Sequence, residues 1–212
     1  MVNQLRGMAA EYGVEFPATL CALRQAAPVI VADECTPLTS VARQLLAGLL
    51  ALLRALDTRI ASVISALAEL AKTEPAYARL LTIPGFGPIV SAAFLADVGK
   101  GQQFKSGRHL AAWLGLVPRQ HGTDGQVRLH GITKNGDRSL RTLLIHGARA
   151  VMVWANKHTH AQSKWIRQLQ ARRGKNRTVV ALANKLARVA WPVLRTDTDF
   201  VRERAFKPLR TA

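Results

Sequence analysis

The side chains able to do chemistry gather between Lys100 and Arg195. That stretch holds nineteen Lys and Arg against two acids, Asp124 and Asp137. Residues 1–99 hold seven basic and eight acidic side chains, and residues 196–212 hold four and three. One segment therefore carries the formal charge of +17. A block of that sign calls for a polyanion, with nucleic acid as the default partner. A solvated charged surface or an anionic-lipid binder is the plainer alternative.

The chemistry open to this segment is narrow. Metal-assisted phosphodiester hydrolysis needs several carboxylates around its ions. Asp124 and Asp137 both sit in turn contexts, and Asp97 stands alone at a helix end. The six histidines do not join Cys21 and Cys35 in a zinc spacing. No cofactor is expected in this chain. What remains is a hydroxyl in a basic setting, Thr123, which follows Arg119 and precedes Arg128. Such an oxygen can attack phosphorus while guanidinium groups stabilise the charged transition state. Threonine beside Asp124-Gly125 is equally ordinary turn chemistry.

Two glycine-rich loops offer backbone rather than side chains. In Ile83-Pro84-Gly85-Phe86-Gly87-Pro88 the glycines allow close approach, and the following helix presents free N–H groups to a phosphate. The spacing looks like the hairpin of helix-hairpin-helix DNA-binding proteins; an ordinary tight turn between helices is the alternative. The second loop, His130 to Asp137, is basic and runs into a helix. The residues expected to contact nucleic acid are Gly85, Gly87, Arg119, Arg128, Lys134, Arg138 and Arg141. Lys175 and Arg177 join them from the basic loop 172–177.

The elements that must position these groups read as helices. Pro17, Pro28 and Pro37 break residues 1–37 into a short helix and irregular chain. From Leu38 the apolar positions step by three or four through Leu45, Leu52, Leu56, Ile60 and Val63 to Leu70. That pattern predicts one long helix, fit either for a coiled-coil seam between copies or for the core of a bundle. Shorter helices follow Pro88, Phe104 and Arg138, a small hairpin or ordered loop surrounds Asp124-Gly125, and a last helix runs from Thr178 to Leu194. No stretch alternates with a period of two, so the fold class is all-α, a long coiled-coil-like helix followed by a compact helical domain. The domains are read as 1–78, a helical linker; 79–196, the basic domain; and 197–212, a tail. At 49% hydrophobic residues the chain can bury a core. The Leu38–Leu70 stretch is too often interrupted by charge to span a membrane, and no secretory signal opens the chain. A reduced, cytoplasmic, nucleoid-associated setting in a bacterium is expected.

Four ordered segments carry a family resemblance: LTIPGFGPIVSAAFLADVG at 81–99, QFKSGRHLAAWLGLVPRQ at 103–120, GITKNGDRSLRTLLIHGARAV at 131–151 and ALANKLARVAW at 181–191. With them the chain resembles the DEDD-type insertion-sequence transposases, the IS-one-ten group and especially its IS-eleven-eleven branch. The resemblance implies a two-part recombinase acting on DNA. An N-terminal RNase H-like domain would carry acidic ligands for Mg2+, and a helical domain would carry a nucleophilic serine. It also implies a helical linker that makes dimer contacts and a structured guide RNA that bridges two DNAs. This chain departs from the pattern twice. The acidic domain has no counterpart in it. Where relatives read Pro-Arg-Gln-x-Ser-Ser/Thr-Gly-Gly, it reads Pro118-Arg119-Gln120-His121-Gly122-Thr123-Asp124-Gly125. The family serine falls on Gly122 or Thr123, so weak strand cleavage by this chain alone is expected. A non-catalytic nucleic-acid-binding module, or a decayed remnant, is the alternative.

Overall fold

The computed structural model describes residues 1–122 and 128–206. Ten α-helices and one two-stranded sheet make up these residues, so the chain is all-α as its patterning predicts. It divides into two compact units, Met1–Ser65 and the residues from Ala66 onward.

In the first unit, helices α1 (Val2–Ala10), α2 (Leu20–Ala32) and the opening turns of α3 (Ser40–Thr73) share one core. Leu5 and Ala9, Leu23, Ala27 and Val31, and Leu38, Ala42, Leu46, Leu50 and Leu53 are its buried members. Pro28 corrects the sequence reading, since it lies inside α2 instead of breaking the chain. A proline in a helix interior loses one backbone hydrogen bond and crowds the preceding turn. Here Leu23, Ala27 and Val31 are anchored in the core around it, and that burial outweighs the local penalty. Arg43 reaches back from α3 to the carbonyl oxygens of Val31 and Asp33, which fixes the α2–α3 connection.

The long helix exists, but its stripe is split. Ala42, Leu46, Leu50 and Leu53 are buried. Val41, Leu45, Leu52, Leu56, Ile60 and Val63 are exposed. These follow the same three-and-four spacing on the neighbouring face of the helix.

The second unit is built around α9 (Lys175–Arg195). Val179, Leu182, Ala183, Leu186, Ala187, Ala190 and Val193 form a continuous buried face. Against it pack α4 (Pro75–Leu81), α6 (Gly107–Trp113), α7 (Arg138–Trp154) and α8 (Ala161–Arg173). Helix α5 (Pro88–Val98) packs on α4 and α7 and adds Val90, Phe94 and Val98 to the core. Pro75 and Pro88 each stand at a helix's first position, where no N–H is needed. Part of the segment read as a tail is anchored. Helix α10 (Arg202–Ala205) leads to Phe206, which is buried with its ring edge-on to Trp165 at 5.7 Å. Among the described residues no helix is long and apolar enough to cross a membrane.

Candidate nucleic-acid interface

Between α6 and α7 the chain leaves the helical body as an antiparallel ribbon, β1 (Pro118–His121) and β2 (Arg128–Ile132). Gln120 pairs with Leu129 and His121 with Arg128, with a bulge between Pro118 and Gln120. Nearly every residue of both strands is exposed. Alternation along β2 puts Arg128 and His130 on one face, and the His121 and His130 rings meet edge-on at 5.3 Å. Arg119 is exposed on β1. Gly122, exposed, follows β1, whereas Thr123 lies outside the described residues.

The base of this ribbon is rigid. Thr133 N–H donates to Val117 O at 2.9 Å and Lys134 N–H to Gly115 O at 3.1 Å. A Cβ at Gly115 would stand 2.2 Å from Asn135 O, and one at Gly136 would stand 1.9 Å from Trp113 O. The loops 113–116 and 133–137 therefore meet backbone on backbone, at a separation only glycine permits. Arg141 locks them together. Its Nη1 donates to Leu114 O at 3.1 Å and Asn135 O at 2.9 Å. This departs from the expectation of a contact residue: Arg141 is buried, and its charge answers internal carbonyl dipoles. Lys134 and Arg138, beside it in sequence, are exposed. Asp137 caps α7 by accepting from Leu140 N–H, as its turn context predicts.

Gly85 also does something other than expected. At a φ of +94° it takes a left-handed conformation, and a Cβ there would press on Gly147 O and Val151 of α7. The reverse contact is tighter, with a Cβ at Gly147 only 2.1 Å from Gly85 O. The glycine thus seats the α4–α5 turn on α7. Gly87, by contrast, is exposed at the start of α5 with no side-chain cap. Helix α7 holds both features, gripping the ribbon base at Arg141 and the turn at Gly147, about 9 Å apart along its axis.

At the α8–α9 corner Arg172, Arg173, Lys175 and Arg177 are exposed. Arg172 and Arg173 close α8, where cations suit the helix dipole. Lys175 and Arg177 open α9, which has no acid in its first turn, so the dipole disfavours them there. Three further cations escaped the sequence reading. Arg108 of α6 stands beside Arg188 of α9, and Lys185 lies near Arg188 on the same helix. Burial pushes Arg188 and Lys185 below their usual values, and like charge adds to it, from Arg108 on Arg188 and from Arg188 on Lys185. Lys185 and Arg188, three apart, share a helix face, which was the one signal available. Among the described residues, no cation between 100 and 195 has an ion-pair partner.

Residues 77–164 match the transposase IS116/IS110/IS902 family. Over those residues the chain carries that family's transposase domain. It is 42% identical over 205 residues to a probable family 20 transposase of Pseudomonas aeruginosa, covering 94% of this chain and 60% of that protein. It is 38% identical over 194 residues to the transposase for insertion sequence element IS1111A of Coxiella burnetii, covering 92% and 53%. A pilin gene-inverting protein of Moraxella bovis is 30% identical over 122 residues. The chain thus spans a little over half the length of the transposases it matches best among these. The stretch matched to the IS116/IS110/IS902 model contains the α4–α5 turn, the ribbon and α7, the three features that the glycine contacts and Arg141 hold in fixed relation.

Proposed function

We propose that this transposase segment grips the DNA backbone during insertion-sequence transposition. The exposed ribbon and the α8–α9 corner make the contacts. One observation supports the reading above the others: the segment's cations have no ion-pair partners among the described residues. Nineteen like charges on a compact body repel one another, and a polyanion relieves that repulsion while releasing counterions. Arg119, Arg128, Lys134, Arg138, Lys175 and Arg177 are the backbone contacts, and Gly87 at the uncapped start of α5 offers N–H groups. Phosphate contacts set register and carry little sequence information. Duplexes of unrelated sequence should therefore bind within a few-fold of each other. A structured guide RNA has the same backbone chemistry and would compete for the same surface.

The segment between β1 and β2 is where the family resemblance would put a nucleophile. Gly122 and Thr123 stand at or beside the family serine, between Arg119 and Arg128. A threonine there brings a hydroxyl whose extra methyl stiffens χ1 and crowds the attack path. A misplacement of about 1 Å can cost roughly 100-fold in rate. The Mg2+ that the family resemblance implies does not fit the described residues of this segment. Asp137 is committed to its helix cap, and no three candidate ligands gather. Self-association through the exposed apolar face of α3 completes the reading. The chain would then act as one half of a paired recombinase.

Fluorescence anisotropy with a labelled duplex tests the binding. The double variant R119Q/R128Q should weaken it about tenfold or more, and R24Q, in the first unit, should leave it unchanged. Equal affinity of all three would refute the ribbon as a contact. A trapping gel on a suicide DNA substrate, with an acidic-domain protein supplied in trans, tests the chemistry. Little adduct is expected from the natural chain and none from T123A. A gain is expected from either T123S or G122S. Strong adduct that survives T123A would remove this turn from the mechanism.

A further inference from the structure

Away from the ribbon, a cleft of about 300 Å³ gathers several polar groups, two of them with buried nitrogens that find no partner among the described residues. Its walls include Trp154 at the end of α7, His158, His160 and Gln162 at the start of α8, Ser163, and Arg202 of α10. The loop carrying the histidines is pinned from α8, where Arg167 donates to Ala155 O at 2.7 Å and His158 O at 2.8 Å. The two imidazoles lie stacked, 5.4 Å apart and within 13° of parallel.

The two buried side-chain atoms left without partners among these residues are both donors. His160 caps α8 by accepting from Ser163 N–H through Nδ1 at 3.2 Å, which leaves its ring proton on Nε2. Gln162 is 1% exposed, and among the described residues its Nε2 has no acceptor. The Nε of Arg202 is buried and lacks one too. No carboxylate lines the cleft, and the first turn of α8 contains no acid. The helix is thirteen residues long, so its N-terminus brings a substantial positive dipole. Burial, then the Arg202 and His158 charges, then Arg167, hold His160 below the usual histidine range. An anion would relieve that crowding.

We propose that this cleft binds a phosphate group, held by Arg202, Gln162, His160 and the α8 N-terminus. An oxyanion supplies several acceptors at once, which matches two orphaned donors and a helix end among the residues that wall one cleft. The group can arrive on a nucleic-acid strand or as free phosphate. None of the four is a ribbon or α8–α9 corner contact, so the site stands independently of the DNA reading.

The test uses the full chain with 15N-labelled histidine side chains. Inorganic phosphate and a short single-stranded oligonucleotide are titrated in separate arms. Saturable shifts of the His158 and His160 imidazoles are expected, with the His160 pKa moving upward. R202Q and Q162M should each weaken the response about tenfold, the loss of one charge-assisted or buried hydrogen bond. R204Q, on the same short helix but not on the cleft wall, should leave it unchanged. A response to phosphate alone supports a free-anion site, and a response to both supports a strand phosphate. Failure of both ligands to shift either imidazole, with the amide spectrum of a folded chain, overturns the proposal. DNA binding that persists in that case would leave the interface reading standing.

Discussion

Helices α3 and α9 carry apolar residues at the same three-and-four spacing, and the structure treats them differently. In α9 the stripe is covered along its length, with α4, α6, α7 and α8 packed around it. In α3 only Ala42, Leu46, Leu50 and Leu53 are covered, and the face from Val41 to Val63 meets solvent. Charge divides the same way. The unit around α9 carries nearly all the excess cations, whereas residues 1–99 are close to neutral. Periodicity therefore reveals that a face is apolar without revealing what covers it. In α9 the neighbours come from the same chain; on α3 no described residue covers that face.

The largest effect should separate the two helices by stability. Leu186 is fully buried, so L186A should cost about 2–5 kcal/mol for lost burial plus the cavity left behind. L56A, at a position 43% exposed, should cost under about 1 kcal/mol. Urea unfolding of both variants checks the contrast, and equal losses would break it. Next comes G147A. Its Cβ would fall 2.1 Å from Gly85 O, and overpacking of that kind costs about 1–3 kcal/mol. A neutral result in the same assay would mean that the α4–α5 turn can lift off α7 freely.

A third experiment sharpens the α3 side. L52D and I60D together put charge on the exposed face and touch no buried residue, so folding should survive. Multi-angle light scattering should show an assembly of copies for the natural chain and a monomer for the variant. A monomer in both would show that nothing of this chain covers the face. The smallest effect belongs to the corner. K175Q/R177Q should reduce the salt dependence of DNA binding by roughly 0.9 per lost phosphate contact, read from the anisotropy titration. An unchanged slope would remove the α8–α9 corner from the interface.

Much of the fold was legible because helix spacing and stop signals agree locally. Pro88 opens a helix, Asp137 stands in the turn that starts another, and the apolar steps of α9 face inward. The misreadings arise where distant contacts override local preference. Pro28 stays helical because its neighbours are buried in the first unit's core. Arg141 reads as a free cation until the carbonyls of Leu114 and Asn135 are seen around it. Gly85 reads as a phosphate loop until Gly147, sixty-two positions later, is found against it. The cluster of Arg108, Lys185 and Arg188 depends on two helices crossing, which no local window can show.

On the proposed reading, the exposed cations of residues 100–195, which have no ion-pair partner among the described residues, meet a phosphate backbone. The slope of log affinity against log salt measures that most directly, with the intact chain on a duplex of arbitrary sequence. About six phosphate contacts predict a slope steeper than −5 and a loss of roughly a thousandfold between 50 and 200 mM salt. A slope near zero across that range would contradict the account.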